Sequence, residues 1–91
     1  MEAILKVDQD ALPVLKSGLE LKRNALKFNL RRYQDRLTQY EQTHRMTSEQ
    51  FAAKFSSGEL GDEREWFEWE FALDAVRETE RQMNLLGNVK L

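Results

Sequence analysis

A chain of 91 residues, 41% hydrophobic and 33% charged, is one domain at most and is neither a disordered tail nor a membrane-embedded segment. It has no cysteine, which excludes a disulfide framework, a thiol nucleophile and a thiolate metal site. The net charge of −2 gives no overall pull toward nucleic acid, and no apolar run approaches the roughly 20 residues a membrane span needs.

The charge is unevenly placed. Residues 16–36 hold seven bases and two acids, a net +5, whereas residues 59–80 hold nine acids and two bases, a net −7. Two such halves are expected to lie side by side and neutralise each other. The first eight residues carry acids where a secretion signal needs bases, so the expected compartment is the cytoplasm.

Residues 2–7 read as an extended segment, with Leu5 and Val7 on one face and Ile4 on the other, ended by Asp8 and Asp10. A short N-terminal strand pairing across a two-fold axis would account for it. Asp10 as helix cap places Pro13 in the first turn, where proline is tolerated.

One long helix is predicted over residues 10–45. At 100° per residue, Leu12, Leu15, Leu19, Leu26, Leu30, Tyr33, Leu37, Tyr40 and His44 form a single stripe. From Leu26 onward the spacing alternates four and three, a coiled-coil seam. Val14, Leu21, Ala25 and Phe28 form a second stripe on the opposite side. Polar Arg32, Asp35 and Gln39 then replace it, so the first half of this helix has two apolar sides and the second half one.

Thr47-Ser48-Glu49-Gln50 fits a capping box opening a short helix over residues 48–57, with Phe51 and Phe55 on one face and Ser57-Gly58 as its end. Leu60, between two glycines, is expected to plug the turn. Asp62-Glu63-Arg64-Glu65 looks like a second capping box, starting a helix over residues 62–86 that Gly87-Asn88 stops. Its seam reads Trp66, Trp69, Leu73, Val76, Glu80 and Met83, and its opposite stripe Phe67, Phe71, Ala75 and Leu85. Glu80 in that seam predicts an ion pair with a base of the first helix.

These elements predict an all-α fold, a long antiparallel helical hairpin with a short connecting helix, dimerising into a four-helix bundle. One hairpin buries one face of each helix and leaves Val14, Leu21, Phe28, Phe67 and Phe71 in water. A second copy is the simplest cover, because closed two-fold dimers are the commonest assembly. The residues assigned to core or dimer are Leu26, Leu30, Tyr33, Leu37, Tyr40, Phe51, Phe55, Leu60, Trp66, Phe67, Trp69, Phe71, Leu73, Val76 and Met83.

No catalytic constellation emerges, and no cofactor or metal is predicted. His44 is the only histidine, has no carboxylate four residues away on either side, and reads as a cap or core-edge residue. Glu41 lies three residues before it, as in the Glu-x-x-His pairs of four-helix metal bundles, but a single such pair in a solvated turn makes no site. There is no glycine-rich phosphate loop and no aromatic sheet on which bases could stack. The expected function is a non-catalytic protein binder whose docking residues are Ile4, Leu5, Val7, Leu12, Val14 and Leu21. The alternatives are a nucleic-acid-binding regulator using the basic first helix and a purely structural bundle that binds only itself.

The stretch Met46-Thr47-Ser48-Glu49-Gln50-Phe51, Phe55, Gly58-Glu59-Leu60-Gly61-Asp62 and Trp66-Phe67-Glu68-Trp69 resembles a sequence block of small prokaryotic helical proteins. The block spans about a third of the chain, and here Gln50 stands for its second acid and Trp66 for its first aromatic. Some of those proteins are similar to antitoxins encoded beside small nuclease-type toxins. The resemblance implies an antitoxin-like or adaptor protein that masks a partner, and it transfers no catalytic residue.

Overall fold

The computed structural model describes residue 4 and residues 6–91, so Leu5 and with it half of the expected N-terminal strand over residues 2–7 lie outside the described residues; Ile4 itself is exposed. The chain is all-α. Helix α1 spans Leu12–His44, α2 spans Ser48–Ser56 and α3 spans Arg64–Gly87, and no strand occurs among the described residues. No described helix is long and apolar enough to cross a membrane.

A 3-10 turn over Gln9–Ala11 precedes α1, and Asp8 rather than Asp10 stands at its start. Ala11 holds the cap position of α1, without a side-chain cap, and Pro13 lies in the first turn, where its missing N–H costs nothing. The helix then runs 33 residues, about 50 Å at 1.5 Å per residue, and ends on Arg45 in the left-handed region at φ 53°.

The start of α2 is held from three sides. Thr47 Oγ1 accepts the Gln50 backbone N–H at 3.1 Å, and Gln50 Oε1 accepts the Thr47 N–H at 2.9 Å, which completes the capping box. The Ser48 N–H donates to Glu41 Oε2 at 2.8 Å. Glu41, expected in a solvated turn, thus ties the end of α1 to the start of α2. At the far end Glu59 N–H reaches the Lys54 carbonyl and Gly58 N–H the Phe55 carbonyl, a Schellman closure that requires the positive φ of Gly58.

The second capping box does not form. Glu63 occupies the cap position of α3 without a side-chain bond, and Glu65 turns instead to His44, whose Nε2 lies 2.9 Å from Glu65 Oε1. The pull of a long-range partner outweighs a local cap that would have been solvated.

Helix α3 returns along α1, and their facing stripes form the core: Leu26 from α1, Phe51 from α2, and Trp69, Ala72, Leu73 and Val76 from α3. Leu30, Tyr33, Leu37, Tyr40, Phe55, Leu60, Trp66 and Met83 are half-buried around it. Glu80 is not in the seam. It is exposed, and Thr79 is buried in its place. The buried stripe runs through Trp69, Leu73, Val76 and Thr79 to half-buried Met83, and the acid lies in water, where it needs no base.

The largest buried aromatic is Trp69. Its ring lies 4.1 Å from Phe51 and nearly parallel to it, and it stacks with Tyr40 and His44 at 5.5 Å. Its indole Nε1–H donates to the hydroxyl of buried Ser48 at 3.1 Å.

Phe51, fully enclosed, should lose about 3–5 kcal/mol of stability on Phe51→Ala. Phe55 is only half-buried and should lose less on the same change. Urea unfolding of both variants checks the order, and equal midpoints would contradict this core. Ser48→Ala leaves the Trp69 donor unpaired, and an orphaned buried donor costs about 1–3 kcal/mol. The same titration reads that loss.

Candidate protein-docking surface

The hairpin is long and thin. It measures 56 × 27 × 18 Å with a radius of gyration of 18.1 Å, against about 12 Å for a compact domain of this length. Its accessible surface is 7432 Å², whereas a monomer of 10.8 kDa ordinarily exposes about 5,500 Å². Large apolar side chains are among what the hairpin exposes. Val14 is 73% exposed, Leu21 71%, Phe28 65% and Phe71 60%, and Phe67, Leu85 and Val89 are about half exposed.

Two hollows between α1 and α3 show how these residues are arranged. The larger, about 500 Å³, is lined by Arg36 and Tyr40 from α1 and by Arg64, Phe67, Glu68 and Phe71 from α3. The smaller, about 250 Å³, is lined by Lys22 and Leu26 from α1 and by Gln82, Leu85, Leu86 and Val89. Lys22 and Arg36 are fourteen residues apart, as are Glu68 and Gln82, and Phe71 and Leu85. Fourteen residues make almost four full turns, so both hollows open on the same side of the hairpin. Val14, Leu21, Ala25 and Phe28 flank that side along α1, and Arg32 and Arg36 continue the row in steps of four. Arg32 lies over the Phe28 ring at 5.9 Å.

The other side of the hairpin is polar. Lys16, Arg23, Lys27, Gln34 and Thr38, spaced seven, four, seven and four, run along α1, and Glu70, Arg77, Glu80 and Asn84 along α3. Nearly all are exposed. The molecule therefore has one broad face on which the exposed apolar side chains gather among a few charges, and one polar face.

The bases of α1 are not neutralised by α3. Among the described residues the ion pairs are His44–Glu65 at 2.9 Å, Arg64–Glu68 at 3.0 Å and Arg81–Glu78 at 2.6 Å, the last two within α3 itself. The bonds from Arg81 and Gln82 hold the Glu78 carboxyl down at about 2, below its ordinary range. The basic and acidic helices do lie alongside each other, but the apolar seam keeps their charges on the outer flanks. Tyr40 sits where these fields meet: its phenol is pushed above its usual pKa by burial and then by Glu68, against the lowering effect of Arg36.

The residues expected to dock a partner do not form one patch. Val14 and Leu21 are two turns apart on the outer stripe and fully available. Leu12 points to the seam side and is half-buried, as is Val7, and Leu5 lies outside the described residues. Because Lys22 and Leu26 already meet the last residues of α3, the part of α1 before Lys22 runs on beyond the hairpin. Val89 and Arg36 join the apolar face without having been expected there, whereas Leu85 belongs to the second stripe already read on its helix. Which flank of each helix shares a side was not readable.

No family model, no curated protein and no solved structure matches this chain.

Proposed function

We propose that this protein is a non-catalytic protein-binding module, a homodimer closed into a four-helix bundle that masks a second protein in the manner of an antitoxin or adaptor. The observation that carries it is the apolar face, with Val14, Leu21, Phe28 and Phe71 each more than half exposed. Contiguous apolar surface on this scale marks a site of association. The surplus of about 1,900 Å² over an ordinary monomer is what one protomer of a large homodimer interface covers. No catalytic role is assigned to any residue.

The partner is expected to meet the overhang of α1, with Val14 and Leu21 as anchors, since binding energy concentrates in a few buried apolar side chains. A cytoplasmic location suits a chain built without cysteines. One observation favours a second reading, in which the basic helix binds nucleic acid: none of the seven bases of residues 16–36 is in an ion pair with α3 among the described residues. Rim charges in a protein interface mainly set the association rate, whereas phosphate contacts supply most of the affinity for nucleic acid.

Sedimentation equilibrium at micromolar concentration should give twice 10.8 kDa, and a clean monomer contradicts the dimer. Phe71→Ser with Leu85→Ser should raise the monomer fraction while helix content stays unchanged. Val14→Asp with Leu21→Asp should abolish capture of the product of the adjacent gene. Lys22, Arg23 and Lys27 reversed to Glu should slow that capture, most at low salt. If the reversals are fatal and the apolar changes mild, with a salt-sensitive shift of DNA or RNA on a gel, the nucleic-acid reading replaces this one.

A further inference from the structure

Two hairpins can close apolar face on apolar face about a two-fold axis in two ways. With the axis perpendicular to the helices, α1 packs on α1 and α3 on α3. With the axis parallel to them, α1 of each copy packs on α3 of the other. Charge separates the two. On the apolar face α1 presents Lys22, Arg32 and Arg36 against one acid, Asp35, whereas the acids of α3 there, Glu68 and Glu78, are each paired with a base of their own helix, Arg64 and Arg81. Over their lengths α1, with seven bases and three acids, carries +4, and α3, with three bases and six acids, carries −3. The perpendicular axis sets like charge on like along both contacts, and the parallel axis sets opposite charge on opposite.

Both axes keep neighbouring helices antiparallel, as a four-helix bundle prefers, but the parallel one has a further property. It preserves the register of the hairpin, since each α1 then lies beside the second α3 at the same level as beside its own. Residues at equal level in the hairpin have numbers summing to about 110, as His44 and Trp66 do. Arg32 of one copy then comes to the level of Glu78 of the other.

Resting on the dimer proposed above, we infer that the two copies join about an axis parallel to the helices, with α1 of each against α3 of the other. Both α1 overhangs then project from the same end of the bundle. The surface that receives the partner protein is a single composite site built from Val14 and Leu21 of both copies, so one partner engages two protomers. The perpendicular axis would instead place the overhangs at opposite ends and give two separate half-sites.

The chain has no cysteine, so Ser17→Cys, on an exposed outward position of the overhang, accepts a single spin label per copy. With neighbouring helices about 10 Å apart, the parallel axis puts the two labels roughly 25 Å apart. In the other arrangement Ser17 lies 16 residues from the middle of the paired region near Tyr33, and at 1.5 Å per residue the labels are about 50 Å apart. A dipolar distance near 25 Å in the dimer is the expected result. A distance near 50 Å in a species of twice 10.8 kDa overturns the axis and leaves the dimer standing. A monomeric mass with no dipolar coupling overturns both.

Discussion

The indole of Trp69 is the contact on which the three helices converge. It stacks with Phe51 of α2 and with Tyr40 and His44 of α1, and its N–H ends on Ser48, the first residue of α2. Ser48 is in turn held by Glu41 of α1 through its own N–H. A fully buried tryptophan is tolerated only with a partner for its N–H. The fold meets that demand by placing the capped start of α2 there. The connecting helix is therefore a plug at the closed end of the hairpin, and it fixes where α3 begins its return along α1.

From that end the core narrows. The aromatic cluster fills the closed end, and Ala72, Leu73, Val76 and Leu26 carry the seam to the open end. Two helices cannot enclose more than one stripe each, and the second stripe of each remains outside. A small chain buries a modest share of its surface in any case. This one, being elongated, buries still less. The surplus surface and the function proposed for it have the same origin in two helices that are amphipathic on more than one side.

The same geometry governs the charges. Side chains flanking an apolar seam are held apart across it, so the bases of α1 and the acids of α3 face outward where salt and water weaken them. Such charges add little to the stability of one hairpin. They are suited to selecting how hairpins meet, because a like-charged contact along two helices is costly and an opposite one is not.

Much was readable from residue pattern alone. The three helices, their ends at His44, Ser57-Gly58 and Gly87, the Thr47–Gln50 capping box and the exposed second stripes follow from periodicity and cap chemistry, which are local. Where local rules competed with contacts distant in sequence, they failed. Glu65 left its cap for His44, 21 residues away, Glu41 turned to Ser48, and Thr79 took the buried position expected of Glu80. The sidedness of the apolar surface was also invisible, because a helical wheel gives angles within one helix and says nothing of how two wheels are turned toward each other. The sequence by itself determined that apolar residues would be left uncovered. Only the packing of α3 on α1 decided that they would gather on one face, since that depends on the rotation of each helix about its own axis.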